Sequence, residues 1–300
     1  MTLKIMISRK AYIFCVARIV LIIVTVPAAS LVVAQQAGQA PPISLGSVEE
    51  LSQRMQAAVV YQRDDKIYKT VIGSVESELL VEDAFYPRWS PDGQYIAFIK
   101  GSKIMRMTAD GGNIEILVSA NKPRAVAYHP NGEEVLFIDG EVIYSVAIKT
   151  RKVDAVVKGH RFQELDITKN GAQLAVTVKE LFGGFRVYGF DLRSNEKRRL
   201  GDGCSAGMPP SGKWVSNLLD GHKKLALQDW STGKTRFIID APPGEKFDNQ
   251  AWSNKEDWLV GESEVNGHNI YVHEVSANRA TQVTDGGKDQ RPDLYVYQLY

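Results

Sequence analysis

The sequence predicts an all-β fold, a six-bladed β-propeller closed by pairing of the C-terminal strand with the N-terminal blade. Three observations support this prediction. From Ala57 onward, short β-branched and aromatic runs alternate with Gly, Asn and Asp turns. The segment from Phe85 to Phe98 recurs along the chain in weaker copies at near-constant spacing. The two ends of the repeating region each hold part of a repeat, and together they complete one blade.

A turn after the first strand of each repeat marks the copies. In Pro91-Asp92-Gly93, proline presets φ, aspartate bonds the neighbouring backbone and glycine takes a positive φ. Because these properties serve a tight turn, we interpret the motif as structural. The turn glycines lie 39, 39 and 41 residues apart, at Gly93, Gly132, Gly171 and Gly212. A fifth copy, 252–258, has Glu256 at the glycine position.

Strand positions follow from the same pattern. In the clearest repeat we predict four strands, at 85–89, 95–100, 103–108 and 114–118. The composite blade takes three strands from the start of the region and one from its end, at 57–62, 66–72, 77–81 and 291–297. The five complete repeats are 84–122, 123–160, 161–202, 203–246 and 247–288. Closing the ring with both termini removes an open sheet edge.

The residues from Tyr86 to Phe98 resemble the blade motif of the TolB-like, or PD40, propellers, a WD40-like repeat family. The resemblance extends from about Ala57 to Tyr297, but only the second blade carries the full motif. It implies a six-bladed propeller scaffold and says little about chemistry. TolB itself has a further N-terminal domain for which the segment before Ala57 is too short, so we do not expect the role of TolB itself.

The N-terminal region divides into two segments. Residues 1–34 carry four basic residues, no acid, and an apolar run from Ile19 to Val33, which predicts a signal peptide and a periplasmic or secreted protein. Pro27 and the shortness of the run argue against a retained anchor, so we expect no membrane span after cleavage. Residues 35–56 are predicted to be a linker without fixed structure, with a short helix over 48–55. The propeller is predicted over 57–300.

Composition excludes several classes of function. Without residues 1–34 the chain has 32 basic and 35 acidic residues, which gives no electrostatic footprint for nucleic acid or an anionic membrane. One cysteine, Cys204, remains in that part, so no internal disulfide is predicted. With 44% hydrophobic residues, the chain has enough apolar side chains for a sizeable core.

The two faces of a propeller carry different loops. One face, here called the turn face, holds the turns between first and second strands and between third and fourth strands. The other, the connection face, holds the blade-to-blade connections and the turns between second and third strands. Polar side chains that could bind a ligand gather on the connection face, and our candidates are His160, Asp202, Asp220, His222, Asp248, Asn249, His268 and Arg291.

We interpret the chain as an exported, non-catalytic binding scaffold that needs no cofactor. It would hold a segment of an envelope protein or a small ligand on its loop face. The alternative is a carbohydrate-active lyase or hydrolase with a His/Asp site at the channel mouth, where a divalent metal would be the cofactor. No closely spaced pair of histidines supports a metal site directly. A third interpretation is an accessory relative of the propellers that gate prolyl-peptidase domains.

Overall fold

The computed structural model describes residues 38–39 and 42–300, so the predicted signal peptide, 1–34, lies outside the described residues. The described strands form six sheets, each of them one blade, and this confirms the six-bladed propeller. The strands are β1 Gly38–Gln39, β2 Ser44–Gly46, β3 Met55–Arg63, β4 Lys66–Val71, β5 Ser77–Glu82, β6 Phe85–Trp89, β7 Tyr95–Lys100, β8 Lys103–Thr108, β9 Glu115–Ser119, β10 Pro123–Tyr128, β11 Glu134–Asp139, β12 Val142–Ala147, β13 Val153–Lys158, β14 Phe162–Ile167, β15 Gln173–Lys179, β16 Phe185–Asp191, β17 Glu196–Asp202, β18 Cys204–Gly207, β19 Trp214–Leu219, β20 Lys224–Asp229, β21 Thr235–Asp240, β22 Phe247–Trp252, β23 Trp258–Ser263, β24 Asn269–Glu274, β25 Arg279–Gln282 and β26 Asp289–Leu299.

The composite blade closes the ring as predicted. Its strands lie in the order β26-β3-β4-β5, and β26 pairs antiparallel with β3 over most of its length, for example Leu294 with Val59. The closing strand is longer than predicted at both ends. In the second blade, three strands have the predicted bounds and the fourth begins one residue later.

The turn of the second blade shows how the repeated motif works. The Ser90 hydroxyl donates to Asp92 over 2.6 Å and accepts from the Tyr95 N–H over 2.9 Å, while the Asp92 carboxylate accepts from the Gln94 N–H over 3.0 Å. Gly93 has φ +69°, as the turn requires. Polar groups of the motif are therefore used to hold the turn itself.

The hydrophobic core lies between neighbouring blades. One cluster joins the second, third and fourth blades, and others join the composite blade to the sixth and second blades. Large fully buried side chains include Tyr61, Phe98, Phe162 and Phe247. Alternating core residues from adjacent sheets fill the space between the blades, which fixes the inner strands around the central axis.

The segment before the first blade differs from the prediction. A helix, α1, spans Val48–Ser52, with Ser47 and Glu50 forming a reciprocal capping box at its N-terminus. Residues 35–47 were predicted to lack fixed structure, but within them β1 pairs parallel with β21 and β2 with β25. The physical reason is that the outermost strand of a blade leaves backbone groups unpaired, and an adjacent polar segment can pair with them regardless of its side chains. In the described residues, no helix is long and apolar enough to cross a membrane.

Candidate functional site

Every inner strand has an irregularity near its start, at the same position of the repeat. The register shifts in β6, β10, β14, β18, β22 and β26 where each strand pairs with its neighbour. Four non-glycine residues at this position have a positive φ, namely Tyr86, Ser205, Asn249 and Arg291. A bulge redirects a side chain, and strained backbone of this kind tends to occur at functional sites. The repeated bulge therefore indicates the central channel as the candidate location of a functional site.

A cavity of about 380 Å³ occupies the channel. Its walls are inner-strand residues, and it reaches the turns after the first strands through residues such as Pro91, Lys169 and Pro210. It therefore opens on the turn face, whereas the sequence analysis placed its candidates on the connection face. Five aromatic side chains line it, namely Tyr86, Trp89, Tyr128, Trp252 and Tyr295.

Two carboxylates and one guanidinium occupy equivalent positions on three inner strands in the cavity wall, at Asp166, Asp293 and Arg88. Asp166 accepts backbone hydrogen bonds from Met208 over 2.7 Å and Ile167 over 2.8 Å. Asp293 accepts one from Trp89 over 2.7 Å. Burial raises the pKa of each carboxyl to about 6, and the positive charge of Arg88 opposes the shift. Backbone hydrogen bonds therefore position both carboxyls, and burial disfavours their ionised forms.

A third carboxyl, Glu164, lies in the wall at the bulge position. It accepts a hydrogen bond from the buried Thr177 hydroxyl over 2.7 Å. Burial raises its pKa, and the neighbouring Asp248 adds to the shift while Arg291 opposes it. The Arg291 guanidinium lies 5.1 Å from the centre of the Tyr86 ring, in cation–π range.

Glu262 connects several predicted site residues at the connection-face end of the channel. This buried side chain accepts from the Asn249 amide over 2.7 Å and from the Arg291 N–H over 3.2 Å, and it lies 2.5 Å from His268 Nδ1. Burial raises its pKa to about 7, with a further contribution from Asp248. Glu262 therefore joins the side chains of Asn249 and His268 and the backbone of Arg291 in one compact polar group.

A second imidazole contact involves the sole cysteine after residue 34. Cys204 Sγ lies 3.2 Å from His222 Nε2, and His222 Nδ1 lies 3.5 Å from Glu264 Oε1. The order thiol, imidazole, carboxylate is that of a nucleophilic site. However, burial and the surrounding carboxylates raise the pKa of Cys204 to about 12, which keeps it in the thiol form.

The predicted candidates thus fall into two groups. His222, Asp248, Asn249, His268 and Arg291 lie around the channel, and Asn249 also lines the cavity. The other three have separate surface contacts. His160 stacks on Tyr188 and lies 3.0 Å from Lys197 Nζ, Asp202 pairs with Arg186 and Arg199, and Asp220 pairs with Lys224.

Sequence reasoning missed the charged groups on the inner strands. Arg88, Asp166 and Asp293 share one position of the repeat, and Glu262 interrupts the buried strand β23. Other repeats have Ala or Gly at this position, for example Ala127. A charged residue there is the sequence signal that could have identified Arg88, Asp166 and Asp293.

The metal of the lyase alternative would need a cluster of ligating side chains. Among residues 38–39 and 42–300, no group of three or more His, Cys, Asp or Glu side chains could hold a metal ion. The metal of the lyase alternative thus finds no suitable ligand group in the described part of the chain.

Comparison with known proteins supports the fold. No family model matches the chain, and no curated protein matches it in sequence. Among solved structures, TolB from Acinetobacter baumannii is similar with a TM-score of 0.65 and 18% identity, covering 82% of this chain and 69% of that one. A chain of a nidogen/laminin complex has a TM-score of 0.66 and 8% identity, covering 81% and 98%. An oligogalacturonate lyase in complex with manganese has a TM-score of 0.52 and 13% identity, covering 77% and 74%. The chain therefore has the fold of the TolB-like propellers.

Proposed function

We propose that this chain is an exported, non-catalytic binding scaffold that holds a segment of a partner protein in the central cavity, entering from the turn face. The observation that carries the proposal is the cavity itself, whose wall combines carboxyls fixed by backbone N–H groups with aromatic side chains. The proposal moves the binding surface from the connection face to the turn face. The proposal otherwise keeps the predicted function, a non-catalytic scaffold that binds its partner on one face of the propeller.

The charge of the wall favours a ligand with hydrogen-bond donors or a positive charge. Glu164, Asp166 and Asp293 share the wall with one inner-strand cation, Arg88, while Arg291 acts on Glu164 from the connection-face end. The two other cations of the wall, Lys169 and Lys255, belong to the turns at the rim. Buried carboxylates are costly when unpaired, and each of these three has a raised pKa. A donor group that entered the cavity would stabilise their ionised forms, which is a reason for such groups to occur at a binding site.

The volume of the cavity is large enough for part of a protein segment. Ligand pockets span roughly 300–1,000 Å³, so about 380 Å³ accommodates a few side chains of a peptide or one small ligand. Aromatic side chains in the wall, such as Tyr295 and Trp89, add apolar contact surface, and aromatic residues are enriched where protein segments bind. A similar propeller fold in a nidogen/laminin complex and in TolB agrees with a protein partner. Export to the periplasm or outside the cell rests on the signal-like residues 1–34.

Site-specific photocrosslinking tests the proposal. A benzophenone side chain replaces Lys169, which is exposed at the cavity rim, or Lys149, which is exposed at the outer edge of the same face. Neither change alters the core. After irradiation in an envelope extract, we expect a discrete protein adduct from position 169 and none from position 149. Equal adducts at both positions, or none at either, would contradict the proposal.

The lyase alternative has narrower support. A manganese-bound oligogalacturonate lyase shares the fold, and His222 and His268 both lie near Asp248. However, these histidines contact different glutamates, Glu264 and Glu262. Turnover of oligogalacturonate by purified protein supplied with manganese, lost in His268→Ala, would favour the lyase over the scaffold.

A further inference from the structure

The hairpin between β15 and β16 in the fourth blade has an apolar tip on the connection face. Its turn includes Leu181 and Phe182, which are 78% and 103% exposed, and the next strand begins with Phe185 at 40%. Gly183 and Gly184 both have positive φ and complete the turn. Three large apolar side chains thus lie within five residues at the outermost point of the hairpin.

The base of this hairpin is held in place. Glu180 accepts from the Tyr188 hydroxyl over 2.9 Å and lies 3.6 Å from the Arg186 guanidinium. The Glu180 N–H donates to the Gly184 carbonyl over 3.1 Å. The apolar side chains therefore extend from a defined turn. Exposure of Leu181 and Phe182 to water gives the fold no hydrophobic stabilisation.

In the sixth blade the equivalent turn has one large apolar residue, Val265, at 47% exposure, and the turns of the other four blades are polar. They contain Asp64 and Asp65 in the composite blade, Gly101 and Ser102 in the second, Gly140 and Glu141 in the third, and Asp220 and Gly221 in the fifth. The position in the repeat therefore does not require apolar residues. This contrast identifies the fourth-blade tip as a feature of its own.

Three basic residues lie at the connection-face side of the third and fourth blades, at the end of β13, before β14 and at the end of β15. Lys158, Arg161 and Lys179 are exposed, and no carboxylate of the described residues lies within ion-pair distance of them. The Lys179 N–H donates to the Arg161 carbonyl, which places these two residues side by side. Of the acidic residues on this side, Glu180 and Asp202 are paired with arginines, and Glu141 is exposed in the adjoining turn of the third blade. The near-neutral total charge therefore hides a local excess of positive charge.

We propose that this hairpin tip docks the protein on an anionic lipid surface, with Leu181 and Phe182 inserted among the headgroups and the three basic side chains above them. Apolar side chains with flanking Lys and Arg are the combination that binds such a surface. Each basic residue near an anionic surface strengthens binding about fivefold, an attraction that salt screens. The connection face would then point toward the membrane, which leaves the cavity on the turn face open to its partner.

The test uses the full chain with a tryptophan reporter at the tip, Phe182→Trp, and a matched reporter on the opposite face, Val75→Trp. Val75 is 101% exposed and lies in the turn between β4 and β5, on the turn face. Both chains carry the same first 34 residues and the same five native tryptophans, so any difference reports the two positions. The probe is a vesicle of equal parts phosphatidylglycerol and phosphatidylcholine with brominated acyl chains.

We expect bromine quenching of the reporter at position 182 and not at position 75, reduced by 0.5 M salt and by omission of phosphatidylglycerol. The double variant Leu181→Ser and Phe182→Ser should bind these vesicles at least about tenfold more weakly than the parent chain, because it exposes no large apolar group at the tip. Absence of quenching at position 182, or equal quenching at both positions, overturns the proposal. Unchanged vesicle binding by the double variant also overturns it.

Discussion

Gly93 tests whether the repeated turn is also a contact between blades. The substitution Gly93→Ala places a Cβ at a residue with φ +69°, and that atom would lie 2.4 Å from Cε1 of Tyr295 in the closing strand. The ring cannot move freely, because it packs 5.9 Å from the centre of Trp89 and 5.0 Å from that of Tyr297. The matched control is Gly132→Ala, where φ is +71° and a Cβ would meet nothing within 4 Å.

Both substitutions place an alanine at a positive φ, but only Gly93→Ala also forces a Cβ against a neighbouring ring. A left-handed backbone costs an alanine about 1–2 kcal/mol, and we expect Gly132→Ala to lose only that much free energy of unfolding. Overpacking adds about 1–3 kcal/mol, so Gly93→Ala should lose about 2–5 kcal/mol. Because Tyr295 belongs to the strand that closes the ring, the extra cost measures blade-to-blade contact at the closure.

Urea denaturation followed by tryptophan fluorescence measures both variants. A double-mutant cycle with Tyr295→Ala separates the ring contact, since Gly93→Ala in that background should cost no more than Gly132→Ala. Equal losses for Gly93→Ala and Gly132→Ala in the parent background would refute the reasoning. So would a Gly93→Ala cost that persists in full when Tyr295 is truncated.

Three further predictions concern buried polar groups. Asp293→Asn should stabilise the protein at pH 8 by up to about 3 kcal/mol, with the difference vanishing below about pH 4, because burial raises the carboxyl pKa from 3.8 to about 6 and ionisation is then a cost that the amide lacks. Urea unfolding at both pH values measures it, and a larger difference at pH 4 would contradict it. Asn254→Ala should lower the free energy of unfolding by about 2 kcal/mol, because the amide of Asn254 makes two backbone hydrogen bonds to Val296, of 2.8 and 3.0 Å, in the closing strand. Lys255→Ala is the control and should be nearly neutral in the same denaturation assay. Alkylation of Cys204 by iodoacetamide at pH 8, followed by peptide mass spectrometry, should be at least a hundredfold slower than that of glutathione, since its pKa is raised to about 12.

The sequence predicted the architecture because turns and strand alternation repeat locally. Three strand bounds of the second blade agree exactly, and the composite blade is found where both termini supply partial repeats. Pairing of β1 and β2 with the blade edges was missed, since backbone hydrogen bonds at an edge leave no mark in side-chain patterns. The local pattern of turns and alternating residues therefore predicts the strands of each blade, but it does not predict that β1 and β2 pair with the blade edges.

The site was predicted less well, for a geometric reason. Loop assignment placed His222, Asp248 and His268 on one face, and both histidines lie near Asp248 in the structure. It could not show that the cavity opens on the other face, because the bulges that shape the inner strands depend on long-range pairing. Asp166 and Asp293 come from blades far apart in sequence, and their proximity to Arg88 follows only from the closed ring.

The most direct test of the central claim compares the two ends of the channel through the adduct yield from a benzophenone at position 169. Asp166→Asn removes a charge from the cavity wall, and His268→Ala alters the connection-face group centred on Glu262. We expect Asp166→Asn to lower the yield about tenfold, since hydrogen bonds to a charged group contribute roughly 1.5–3 kcal/mol, and His268→Ala to leave it unchanged. An adduct that survives Asp166→Asn and is lost in His268→Ala would contradict the assignment of the binding site to the turn-face cavity.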